Sequence, residues 1–61
     1  MYRVLYLNWD YEPCYSTCTF TPRPLEECIN SADNGNRMNS HLRYFVVSEE
    51  EFRSYWEPRI L

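Results

Sequence analysis

Residues Leu42 to Trp56 read Leu-Arg-Tyr-Phe-Val-Val-Ser-Glu-Glu-Glu-Phe-Arg-Ser-Tyr-Trp, and they announce a strand, a cap and a helix in one unbroken run. Leu42 to Val47 is rich in aromatic and β-branched side chains, which suit a packed, pleated surface. Ser48 with Glu51 three residues on is the Ser-x-x-Glu capping box, which supplies partners for the orphan N–H groups of a helix start. The strand therefore ends at Val47 and a helix begins at Ser48. Phe52, Tyr55 and Trp56 then fall at i, i+3 and i+4, one apolar stripe, while Glu49, Glu50 and Arg53 point elsewhere. The helix is expected to lay these three aromatics on the sheet it has just left.

The rest of the chain supplies that sheet. Tyr2 to Trp9 reads as a strand, with Tyr2, Val4, Tyr6 and Asn8 on one face and Arg3, Leu5, Leu7 and Trp9 on the other. Both faces are largely apolar, as in an interior strand. Asp10 to Pro13 is a polar turn, and Cys14 to Phe20 alternates more weakly, which fits an edge strand or an irregular lid. Thr21-Pro22-Arg23-Pro24 breaks it, and prolines are tolerated where a helix is about to start. Leu25, Cys28, Ile29 and Ala32 follow at helical spacing, with Glu26 and Glu27 in the first turn, where the helix dipole favours anions. Asp33-Asn34-Gly35-Asn36 should end this helix, with the only glycine of the chain at its left-handed cap. An Asn-Gly hairpin turn is the competing reading, but its flanks do not alternate. Pro58 should stop the last helix.

The expected fold is one compact α+β domain over residues 1–61: a small, three-stranded, mainly antiparallel sheet with two short helices, in the order β-β-α-β-α. The first two strands form a hairpin and the first helix makes the crossover, giving the spatial order second, first, third. Two short helices on one face of that sheet would leave the other apolar face open. A large exposed apolar patch usually marks an interface, and Tyr and Trp are enriched at binding hot spots.

Composition narrows the functions available. A chain of 61 residues needs help to be stable, and its eleven Phe, Trp and Tyr residues supply it without a staple. A net charge of −3 with no lysine among the six basic residues argues against direct binding to a phosphate backbone. No run is long and apolar enough for a membrane span, and no signal peptide opens the chain, so it is expected to be complete from its own Met1, with no membrane partner and a cytoplasmic location. The three cysteines fit reduced thiols better than a disulfide framework.

No motif for chemistry emerges. Cys14, Cys18, Cys28 and His41 could compose a zinc site, but no Cys-x2-Cys knuckle is present. On one strand Cys14 and Cys18 would also stand roughly 13 Å apart, at about 3.3 Å per residue. Nothing local orients His41 as a base for a thiol. The adjacent carboxylates at the helix starts are accounted for by dipole complementation, and one glycine cannot build a phosphate loop. Neither enzyme activity nor a cofactor is expected.

The carboxylates have another use. Asp10 and Glu12, Glu26 and Glu27, Glu49 to Glu51, and Glu57 are clustered with no lysine to offset them. A row of them would steer the chain toward a basic groove on a partner; a solvated surface, partly paired in helix register, would also account for them. In size, charge and aromatic content the chain resembles the small acidic proteins that phages make to disable host machinery, including anti-CRISPR and other anti-defence inhibitors. The resemblance implies a non-enzymatic inhibitor acting in the host cytoplasm. Its partner would be a host protein, with competition for a nucleic-acid-binding groove. The residues expected to bind are Tyr6, Trp9, Asp10, Glu12, Glu49, Glu50 and Tyr55. A homodimer that buries the open face is the alternative, and a zinc-stabilised mini-domain is another.

Overall fold

A computed structural model describes residues 1–9, 14–19 and 21–60, and the side chain of Cys14 is not among what it describes. The expected turn at 10–13 lies outside that range. Three strands form the sheet among the described residues: β1 (Tyr2–Asn8), β2 (Cys14–Thr17) and β3 (Leu42–Ser48), in the order β2-β1-β3. Both pairings are antiparallel. Leu5 stands opposite Thr17 and Asn8 opposite Cys14, while β3 matches β1 along its whole length, from Tyr2 opposite Ser48 to Asn8 opposite Leu42.

β2 is short, but the chain keeps to the same edge after it. Cys18 donates its N–H to the Val4 carbonyl at 2.8 Å, and the Val4 N–H donates to Thr19 Oγ1 at 3.2 Å. Arg23 then exchanges two backbone bonds with Tyr2, each 2.8 Å. The described part of the 10–21 segment is therefore a sheet edge and not a lid.

α1 (Leu25–Met38) covers the face carrying Tyr2, Val4 and Tyr44, with Cys28 and Ala32 buried against Val4. The final helical segment covers the opposite face, where Phe52 is buried against Leu5 and Val47, with Phe45, Trp56 and Ile60 packed around them. Val4 and Leu5 are neighbours in one strand, so their side chains point to opposite faces and their clusters lie on opposite sides of the sheet. This corrects the expectation that both helices share a face. β1 is apolar on both sides, and a helix on each side removes both from water.

α1 also runs past its expected end. Gly35 is helical, and a Cβ there would sit 2.6 Å from Cδ1 of the Tyr44 ring, so the glycine permits a close approach and not a left-handed cap. The next residue grips the same tyrosine: the Tyr44 N–H donates to Asn36 Oδ1 at 2.7 Å and Asn36 Nδ2 donates to the Tyr44 carbonyl at 3.1 Å. β3 is an edge strand, and this pair of bonds occupies backbone groups that would otherwise invite another strand. The helix ends at Asn39, whose N–H donates to the Gly35 carbonyl at 3.0 Å. Leu25 and Ile29, expected in the buried stripe, are each 43% exposed.

At the other boundary the capping serine behaves as expected, with Ser48 Oγ accepting from the Glu51 N–H at 3.1 Å. α2 (Glu49–Glu51) then opens into a wider π-helical turn at Phe52–Trp56 and tightens into a 3₁₀ turn at Glu57–Arg59. The Glu57 N–H reaches back five residues to the Phe52 carbonyl. Pro58 has no N–H to give Ser54 and its ring would crowd that carbonyl, so a widened turn lets the chain continue where a stop was expected. The buried stripe consequently runs Phe52, Trp56, Ile60, and Tyr55 remains 48% exposed. No helix among the described residues is long and apolar enough to cross a membrane.

Candidate functional site

The strand order brings two distant parts of the sequence to one end of the sheet. Tyr2 is flanked on one side by Arg23 and on the other by Ser48. Each of those residues shortly precedes a helix, so α1 and α2 both start at the Tyr2 end, on opposite faces. Five of the nine acidic residues occupy those starts: Glu26 and Glu27 on α1, and Glu49, Glu50 and Glu51 on α2. Helix starts carry the positive end of the macrodipole, which is the local reason for carboxylates there. The strand order is the reason the two sets lie at the same end of the sheet.

These carboxylates are not equivalent. Glu49 accepts from Arg3 Nε at 2.6 Å and Nη2 at 3.1 Å, and from Arg53 Nε at 2.8 Å. The Arg3 guanidinium lies 4.3 Å from the centre of the Phe52 ring, and the backbone N–H of Glu49 donates to the Met1 carbonyl at 2.9 Å. The hydrogen bond from Arg3 is the main cause that holds the Glu49 carboxyl below its ordinary range, with Arg53 adding to it against a desolvation cost. The same bond raises the affinity of Arg3 for its proton. Glu49 is thus committed to joining β1 to α2. Glu51 accepts from Trp56 Nε1 at 2.9 Å and steadies the C-terminal segment. Glu26, Glu27 and Glu50 are exposed.

The other expected site residues are dispersed. Tyr6 is half-buried on the α1 face, its ring 5.5 Å from that of Tyr44. Trp9 follows β1 at the opposite end of the sheet and is 60% exposed. Tyr55 sits on the outside of the C-terminal segment, edge-on to Trp56 at 5.0 Å and 4.0 Å below the Arg59 guanidinium. Asp10 and Glu12 lie outside the described residues. Of the five that are described, only Glu49 and Glu50 come together. Sequence reasoning placed neither Glu26 nor Glu27 in the site. The signal that finds them is the strand order itself, since a chain ordered β2-β1-β3 must begin both helices beside the start of β1.

A cleft of about 470 Å³ lies between the crossover segment and α1, lined by Cys18, Thr21 and Arg23 on one side and by Glu27 and Cys28 on the other. His41 is far from it, since it precedes Leu42, which pairs with the last residue of β1. The structure therefore brings no imidazole to the Cys28 thiol, and burial, followed by the nearby Glu27 charge, pushes that thiol's pKa up. Among the described residues no three His, Cys, Asp or Glu side chains converge in a way that could hold a metal ion. Comparison of the chain with protein-family models, with curated proteins and with solved structures gives no match.

Proposed function

We propose that this chain is a small acidic protein-binding module without enzymatic activity, an inhibitor of the phage type that docks on a basic surface of a host protein and competes there with nucleic acid. The observation that carries this reading is the meeting of both helix starts at the Tyr2 end, which sets Glu26, Glu27 and Glu50 in solvent on two sides of one sheet end. Carboxylates displayed by rigid helices complement a basic groove, speed the encounter and select against acidic surfaces. Glu49 takes part indirectly, by fixing α2 to β1 through Arg3. The aromatic face that would have served a homodimer is covered by Phe52, Trp56 and Ile60, which leaves the acidic end as the docking surface.

The test is capture from a host lysate with a tagged copy, followed by washes of rising salt. Screening shortens the reach of exposed charges from about 10 Å at 0.1 M to about 3 Å at 1 M ionic strength. One stoichiometric partner that elutes as salt rises, and that an excess of nucleic acid displaces, supports the proposal. A partner held unchanged through the salt series, or indifferent to nucleic acid, contradicts it.

A further inference from the structure

We infer that Cys18 and Cys28 form an oxidisable pair, in which the exposed thiol takes up an oxidising disulfide and the buried thiol resolves it into an internal Cys18–Cys28 bond. The two residues bracket Val4. Cys18 is bonded to Val4 across the strand edge, Cys28 packs on the Val4 side chain, and both line the cleft beside α1. Both are free thiols in this structure. Their surroundings divide the labour: Cys18 is exposed, whereas Cys28 is 1% exposed and directs its Sγ toward the Arg23 carbonyl at 3.9 Å. Burial also keeps Cys28 protonated in the reduced state, so it enters only once its partner sulfur has been activated. Cys14 precedes Cys18 by four residues along an extended edge, which sets their backbones roughly 13 Å apart, beyond the span a disulfide bridges.

With a small disulfide of the glutathione type as oxidant, the Cys18 thiolate attacks one sulfur and releases one glutathione thiolate. Cys28 then attacks the Cys18 sulfur of the mixed disulfide and releases the second. The protein loses two electrons and two protons, and the oxidant becomes two thiols. The new bond ties the β1–β2 edge to the first turn of α1.

The experiment incubates the reduced chain with oxidised glutathione under native conditions and reads intact mass and peptide maps. The expected product is lighter by two hydrogens, carries no adduct, joins the peptides of Cys18 and Cys28, and melts at a higher temperature. Cys28→Ser and Cys28→Ala should each stop at one glutathione on Cys18, and Cys14→Ser should react like the native chain. A stable adduct on Cys18 in the native chain, a link from Cys14 to either thiol, or no reaction at all would overturn the inference.

Discussion

The two faces of the sheet are sealed by opposite means. On one face α1 brings small residues, Cys28, Ala32 and Gly35, so that its backbone approaches closely and the tyrosines of the sheet fill the space. On the other face the C-terminal segment brings large residues, Phe52, Trp56 and Ile60, on an irregular helix that bends around a proline. Tyr15, Phe45 and Trp56 complete that side as a ring cluster, with centroids 4.9 to 6.3 Å apart. A sheet with two apolar faces can thus be closed by one regular helix of small residues and one distorted helix of large ones. The first face is vulnerable to added volume and the second to lost volume.

That difference can be broken at named positions. Phe52→Ala empties the large-residue side and should cost about 3 to 5 kcal/mol. The whole stability of a chain this size is about 3 to 9 kcal/mol, so the variant should lose a third of it or more, read by circular dichroism as a strongly lowered thermal midpoint. Gly35→Ala tests the other side. Its Cβ would meet the Tyr44 ring at 2.6 to 2.8 Å, an overpacking cost of about 1 to 3 kcal/mol set against about 1 kcal/mol of gained helix propensity. A lower denaturant midpoint is expected, and a higher one would show that the faces are not packed differently. Asn36→Ala should cost about 1 to 2 kcal/mol by freeing the Tyr44 backbone groups. It should also raise the tendency to associate through β3, visible in light scattering.

The smallest effect is electrostatic and lies where the faces meet. Glu49 releases its proton more readily folded than unfolded, because Arg3 and Arg53 hold the carboxylate. Its stabilisation is therefore present above the unfolded carboxyl value, about 4.3, and is lost as pH falls from there through the lower folded value. Acid unfolding of Glu49→Gln should show a weaker pH dependence in that window than the native chain, with little difference at pH 7 beyond the lost pair.

Much of this was legible in the sequence. The strands, their order, the Ser48 cap and the crossover follow from alternation, spacing and punctuation. The sequence also posed the correct problem at β1, whose two apolar faces cannot both be covered from one side. What it did not disclose was the choice of face for the last helix. The crossover rule places α1 but not a helix that merely follows β3, and only the space already taken by α1 decides it. Gly35 is ambiguous in the sequence for a related reason: a left-handed cap and a ring packed on a helix both call for glycine, and local pattern cannot tell a turn from a contact with Tyr44 nine residues on. Ile60 takes the packed place expected of Tyr55 because Pro58 widens the helix and shifts the stripe. The site was half visible, since Glu49 and Glu50 stand out as a cluster, whereas the placing of Glu26 and Glu27 at the same sheet end belongs to topology.

The most direct measurement compares the affinity of the captured host partner for the native chain and for a Glu26→Arg, Glu27→Arg, Glu50→Arg variant. None of these three side chains is committed to the Arg3 or Trp56 contacts that Glu49 and Glu51 serve. A docking acidic end predicts a loss on the order of tenfold or more, about 1.4 kcal/mol per decade, together with a flatter salt dependence and a melting temperature lowered only by the cost of placing cations at two helix starts. An unchanged affinity in that variant, with binding lost instead in Trp9→Ala or Tyr55→Ala, would contradict the acidic end and return the interface to the exposed aromatics.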